Sequence, residues 1–354
     1  MKANILFFLS TTATSMSIIF IPVIAQEMGA SNLMIGAIVS IYGLMSLMSM
    51  YLFGWVSDKK GRVALIRAGM MLSCLTFILQ AYANSEGSLF LARALCGFAI
   101  GVFYSSLIMY GVESGKKLGK FTSYESLGWG LGNLIAGIIA VYFRIFLLSS
   151  LFFFISFLLA LRLPAVKHNV VKGPLIPFGI VRRNLNIYLP MLLRDIGAFC
   201  TWTFFPLYLI WLGADNLWIG ILYFINTGGQ FVLKQYVDRY DINRLFTWGL
   251  ALSALGFYSY TLPENYLQVI PVQVLIAIAW TTLSVGAMGI LTKANDEKAT
   301  VIGLFSSTRG LAQIIAPLIG GIVMEYYGFN ELMMFSGTIT LFGLLVHFLI
   351  RRRE

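Results

Sequence analysis

Three arginines and two acids fall inside stretches that are otherwise apolar: Arg93, Arg194 and Arg309 against Glu125 and Asp195. An ion in hydrocarbon is costly, so such groups pair with one another or face water. A carboxyl placed there has a second use. Burial favours its neutral form and a nearby arginine favours its charged form, so its proton affinity can follow conformation. Two readings stand side by side on the sequence: a structural ion pair, such as Asp195 with Arg309, or direct handling of protons or substrate. Arg93, a turn or so below the expected outer boundary of its segment, either snorkels to the interface or faces a polar cavity. The surplus of one arginine points toward an anionic or carboxylated substrate.

Other chemistries find little support. Cys74, Cys96 and Cys200 all lie in apolar runs without a C-x-x-C pair, and His168 and His347 are the whole histidine content. Neither a disulfide framework nor a metal site is expected from these residues. No H-E-x-x-H, G-x-S-x-G or G-x-x-x-x-G-K-[ST] string occurs, which argues against a catalytic role and against ATP as an energy source. The expectation is a protein with no cofactor that is not an enzyme.

The scaffold that must position these charges is written in the composition. With 58% hydrophobic residues, 11% charged residues and a mean hydropathy of +0.82, the chain suits a bilayer rather than water. Runs of about 20 apolar residues, enough to cross ~30 Å of hydrocarbon as helix, fall near 4–24, 33–53, 64–83, 89–112, 121–143 and 145–163. A second set falls near 186–211, 217–237, 245–262, 266–291, 300–323 and 331–350. The longest polar connection, 164–184, carries three of the nine prolines and reads as a linker.

The two sets are copies. Pro22/Pro206, Gly29/Gly213, Ala30/Ala214, Asn32/Asn216, Leu33/Leu217, Ile35/Ile219 and Gly36/Gly220 coincide at one offset of 184. Chance would supply roughly one such identity. The same offset aligns Gly119/Gly303, Phe121/Phe305, Ser123/Ser307, Leu127/Leu311, Leu134/Leu318, Ile135/Ile319 and Gly137/Gly321. It also sets Glu125 opposite Arg309. An offset of 180 sets Arg93 against Gln273.

Basic residues set the expected orientation. Counted from a cytoplasmic N-terminus, 21 of the 25 lysines and arginines fall on inner loops and ends, while Glu27, Glu86, Asp215, Glu264 and Glu331 fall outside. Both termini are therefore expected in the cytoplasm. The net charge of +10 is spread thinly over inner loops, as suits anionic lipid rather than nucleic acid.

Between spans two and three stands Gly54-Trp55-Val56-Ser57-Asp58-Lys59-Lys60-Gly61-Arg62. Gly54 would let two helices approach, Asp58 could accept hydrogen bonds from a helix N-terminus, and the bases could pair with acids on adjacent helices. The string resembles the signature loop G-x-x-x-D-[RK]-x-G-[RK]-[RK] of the major facilitator superfamily, with Gly54, Asp58, Lys59, Gly61 and Arg62 matching and Val63 departing. The symmetric loop after span eight keeps Asp238-Arg239 but has Lys234 in place of the glycine. Arg93, Gly97 and Gly101 are similar to the family's R-x-x-x-G-x-x-x-G pattern, where one-turn glycine spacing suits close helix packing. Gly128, Gly130, Gly132 and Gly137 resemble the glycine-rich signature of its antiporters, although Asn133 replaces the proline.

The resemblance implies an all-α membrane protein of about twelve transmembrane helices in two pseudo-symmetric six-helix bundles, 1–163 and 185–354, joined by a cytoplasmic linker 164–184. It implies Glu113, at the inner end of span four, as partner of Arg62. It implies that spans one, four, seven and ten line a central cavity. The candidate groups there are Thr11, Thr14, Arg93, Arg194, Asp195, Gln273 and Trp280, flanked by Glu125 and Arg309. The expected activity is secondary transport of a small organic solute by alternating access in the cell membrane, as a monomer, coupled to protons through Glu125 or Asp195 and directed toward export. A lipid flippase or non-transporting sensor on the same fold, and a polytopic enzyme, are the alternatives.

Overall fold

The computed structural model describes residues 2–115, 118–164, 178–295 and 298–351, without the side chains of 58–60, 118–120, 122, 123, 238, 298, 299 and 351. Among the described residues the regular structure is helical throughout. The first half runs α1 (Lys2–Ile18), α2 (Ile21–Glu27), α3 (Asn32–Lys60), α4 (Arg62–Ala81), α5 (Glu86–Glu113), α6 (Leu118–Ile139) and α7 (Tyr142–Ala160). The second runs α8 (Phe178–Arg183), α9 (Leu185–Trp211), α10 (Asn216–Leu233), α11 (Ile242–Ser259), α12 (Val269–Ala294), α13 (Lys298–Tyr326) and α14 (Phe329–Arg351). Eight helical segments are long and apolar enough to cross a bilayer by length and composition alone. The α9 helix falls outside that set and carries Arg194 and Asp195 side by side in its middle.

The expected first span is two helices rather than one. Pro22 has no N–H to donate and sits in the first turn of α2, after a break at Ile19–Phe20. Its repeat mate Pro206 lies inside the continuous α9. The expected linker also contains the short helix α8, which its proline content had masked; residues 165–177 lie outside the described set.

The repeat has a physical basis at its best-preserved point. After α2, Gly29 turns with φ +86°, Ala30 N donates to Ala25 O (3.0 Å) and Gly29 N to Gln26 O (2.9 Å). After α9, Gly213 turns with φ +87°, Ala214 N donates to Leu209 O (2.9 Å) and Gly213 N to Ile210 O (2.9 Å). Both are Schellman endings that need a left-handed residue, hence the paired glycines. The next helix then starts on a side-chain cap in each copy: Ser31 accepts from Met34 N (3.2 Å) and Asp215 from Trp218 N (2.8 Å).

The chain packs as two compact units. Unit 1 is Met1–Lys172 with Asp215–Thr227, and unit 2 is Gly173–Ala214 with Gly228–Glu354. The first part of α10 thus packs with the first six spans. The reason is a backbone crossing of α6 and α10, where a Cβ added at Gly137 would fall 2.8 Å from Asn216 O and one at Gly220 2.8 Å from Asn133 O.

Inside unit 1, α1 lies against α6 through stacked Phe7 and Phe121 (4.8 Å), and α4, α5 and α7 meet around Phe77, Phe103 and Phe153. Inside unit 2, Asn184 and Asn295 exchange two amide hydrogen bonds (3.1 and 2.9 Å), and Tyr208 OH donates to Tyr260 O (2.6 Å). Several buried hydroxyls, Thr11, Thr14 and Ser336 among them, donate to carbonyls one turn back on their own helix, which offsets the cost of carrying them into an apolar medium. The three thiols are buried and free, with Cys74 Sγ 3.2 Å from Ser150 Oγ, Cys96 donating to Gln80 Oε1 (3.3 Å) and Cys200 to Ala316 O (3.1 Å).

Candidate functional site

The signature loop is a one-residue link between α3 and α4. Gly61 makes it, with φ +92° and its N–H donating to Ser57 O (3.0 Å), a turn that an L side chain would strain. Arg62, the first residue of α4, then points back to α5. Its Nη2 lies 2.9 Å from Glu113 Oε1, its Nε 3.3 Å from the same oxygen, and its Nη1 donates to Ser57 Oγ (2.6 Å). With side-chain exposures of 5% and 13%, this pair is largely desolvated and clamps three helix ends together. The side chains of Asp58, Lys59 and Asp238 lie outside the described residues, and Arg239, in a 3-10 turn (Val237–Arg239), is exposed.

Gly54 is the glycine expected to admit a close helix; among the described residues a Cβ there would meet nothing within 4 Å. The close α3–α5 approach lies elsewhere, where a Cβ at Gly101 would fall 2.5 Å from Ser49 Cβ and 2.6 Å from Ser46 O. Gly97 meets the Tyr42 backbone in the same way.

That approach decides the surroundings of Arg93, which is 1% exposed. It neither snorkels nor faces an open cavity. Its guanidinium carbon sits 4.0 Å from the Tyr42 ring centroid, Nη1 is 3.5 Å from Gln80 Oε1, and Nε has no hydrogen-bond partner among the described residues. With α3 drawn onto α5 at Gly97, Tyr42 is carried directly over the arginine, and cation–π attraction replaces part of its lost hydration.

Thr11 and Thr14 donate to carbonyls of their own helix, Phe7 O (2.7 Å) and Ser10 O (2.8 Å). Thr11 is also packed against Gly128 of α6, so it belongs to the α1–α6 seam rather than to a cavity wall. Glu125, on the same helix as Gly128, accepts a hydrogen bond from Tyr104 OH (2.5 Å).

In unit 2 the charges gather about one indole. Arg194 and Asp195 are adjacent on α9, and Arg194 Nη1 bridges Asp195 Oδ1 at 2.9 Å while Nε donates to Ser253 Oγ of α11 (3.3 Å). Asp195 Oδ2, buried, has no hydrogen-bond partner among the described residues. The expected Asp195–Arg309 pair is therefore replaced by a pair within α9, because the neighbouring arginine reaches the carboxylate first. Arg309 of α13 lies over Trp280 of α12 (4.4 Å to the centroid) and toward Phe199 (5.7 Å), and Arg194 lies over the same indole (4.8 Å). Gln273, two turns from Trp280 on α12, is fully buried. Tyr42, Gln80, Tyr104, Phe199 and Ser253 were missed on the sequence, since an uncharged side chain in an apolar run carries no signal until a charge is seen beside it.

Two repeated halves of six membrane helices, each with arginine and acid side chains held inside, define a transporter fold of the two-bundle class. The sequence profile of the Major Facilitator Superfamily matches residues 3–293 and again 191–354, and the chain belongs to that family of membrane transporters. It is 22% identical over 373 residues to the multidrug resistance protein MdtG of Proteus mirabilis (strain HI4320), covering 96% of this chain and 92% of that one. It is 21% identical over 391 residues to the staphylopine export protein of Staphylococcus aureus (strain Mu50 / ATCC 700699), covering 99% and 95%. Among solved structures, the nucleoside transporter NupG superimposes with a TM-score of 0.80 at 15% identity, covering 99% of this chain and 98% of that one. A bacterial homologue of the human lysosomal transporter Spinster gives 0.81 at 12%, covering 99% and 96%. The multi-pass helical fold is thereby established, as two six-helix repeats.

Proposed function

We propose that the chain moves a small organic solute across the cell membrane by alternating access, driven by protons and directed outward, with both termini in the cytoplasm. The observation that carries proton coupling is Glu125, a carboxyl in the α6 membrane helix that accepts a hydrogen bond from the neutral Tyr104 hydroxyl. A neutral donor serves the carboxylate, and the same hydroxyl can accept from the protonated acid, so both states have a partner. Asp195 is the poorer candidate for the proton, because the guanidinium of Arg194 that bridges it can donate but not accept, and so serves the carboxylate alone. Export is favoured by the names of the relatives, a multidrug resistance protein and a staphylopine export protein. The Arg62–Glu113 pair, at the signature-loop end, is read as a latch for one conformational state.

Proteoliposomes decide the matter. Glu125→Gln should abolish accumulation driven by a pH gradient and spare exchange of labelled for unlabelled solute at equal pH, since exchange needs no net proton movement. Full gradient-driven accumulation by this variant removes Glu125 from coupling.

A further inference from the structure

The two arginines of unit 2 are not equivalent. Arg194 is 3% exposed and engaged at two of its nitrogens, Nη1 bridging Asp195 and Nε donating to Ser253. Arg309 is half-buried, and among the described residues it makes no hydrogen bond and no ion pair; its neighbours are the faces of Trp280 and Phe199. Since Asp195 neutralises Arg194, the cluster keeps one positive charge, and that charge resides on Arg309. Aromatic faces attract a guanidinium but satisfy none of its five N–H donors in the plane of the group. Among the described residues the planar fork is thus unpaired at its edge, beside two half-buried rings that offer flat apolar surface.

We infer that Arg309 anchors an anionic group of the transported solute, a carboxylate or a similarly planar monoanion, with the solute's apolar or aromatic body laid on Trp280 and Phe199. The inference rests on the transporter function proposed above. A bidentate Arg–carboxylate pair uses the fork directly, and in a membrane interior each of its bonds is stronger than in water. Arg194 acts here as a positioning residue. Held by Asp195 and Ser253, it stacks on the indole and fixes the ring against which Arg309 lies. A cationic solute would meet the net positive charge on Arg309, and a neutral one would leave its fork without an anionic partner.

The test uses purified protein in detergent, with thermal unfolding followed against benzoate, phenylacetate and 2-naphthoate, each beside its neutral amide and its amine counterpart. Wild type should be stabilised by the carboxylates alone. Arg309→Gln should weaken carboxylate binding by about tenfold or more, as loss of a charge-assisted pair implies. Arg309→Lys should retain part of it, because it keeps the charge without the fork. Trp280→Ala should weaken 2-naphthoate more than benzoate. Equal responses to acids, amides and amines overturn the inference, as does a wild type unmoved by any carboxylate or an Arg309→Gln protein that binds them undiminished. Sealed vesicles separate this from the transporter reading. Flux of a neutral or cationic solute that is unchanged in Arg309→Gln sinks the anchor and leaves the transporter. Carboxylate binding that depends on Arg309, in a protein that moves no solute, keeps the anchor and sinks the transporter.

Discussion

Arg62 and Glu113 show how far single residues can be read. Their pairing came from a motif that matched, and the geometry adds Ser57 as a third member. Removing one charge leaves the other desolvated, so Glu113→Gln is expected to cost about 2 kcal/mol of stability. Arg62→Gln with Glu113→Gln should cost clearly less than the two single changes added, by about 1 kcal/mol or more. Unfolding in detergent measures all three, and strict additivity would show the pair to be idle. The same physics makes Asp195→Asn costly to the fold, because it removes the counter-charge of a buried arginine. Its thermal midpoint in detergent should fall well below that of the wild type. Charged residues inside apolar runs were legible because their cost marks them. Which partner each would choose was not, since that depends on the helix that happens to cross at that height.

At the scale of helices, glycine spacing identified packing faces without saying which glycines touch. Gly97 and Gly101 are pressed on the α3 backbone, whereas among the described residues a Cβ at Gly54 would meet nothing within 4 Å. Gly101→Ala must therefore push α3 and α5 apart, at about 1–3 kcal/mol. Gly54→Ala, in the interior of α3, should be neutral or stabilise the helix by up to about 1 kcal/mol. A thermal midpoint that falls for Gly54→Ala as far as for Gly101→Ala would refute this packing. The capped turns, in contrast, were visible in the repeat itself, because Gly29 and Gly213 solve the same left-handed turn. The break before Pro22 was invisible, as Pro206 in the other copy continues its helix. Proline removes one hydrogen bond in both places, and packing decides whether the helix bends or parts.

For the molecule as a whole, the duplication and the hydropathy were enough to foresee twelve spans in two sets. An offset of 184 repeated over distant segments leaves few other folds available. What the repeat could not foresee is that Asp215–Thr227, second-copy residues by sequence, pack with the first unit through the Gly137–Gly220 crossing. The proposed orientation rests on the basic residues, and reporter fusions check it. Fusions at Lys117, His168 and Arg353 should report cytoplasm, and fusions at Glu86 or Glu264 the exterior. A single cytoplasmic site found outside would reverse the topology.

The three thiols give the protein an unplanned convenience. Each is buried against a polar atom of an adjacent helix, a side-chain oxygen of Ser150 or Gln80 or the backbone carbonyl of Ala316. A bulky maleimide therefore meets a silent background, and a cysteine introduced at an exposed position such as Ser85 or Tyr240 becomes the one reactive handle without any native cysteine being replaced. Folded wild-type protein should stay unlabelled over minutes and take up three equivalents once unfolded in dodecyl sulfate. Spin labels or fluorophores placed this way would follow the transport cycle in the natural sequence.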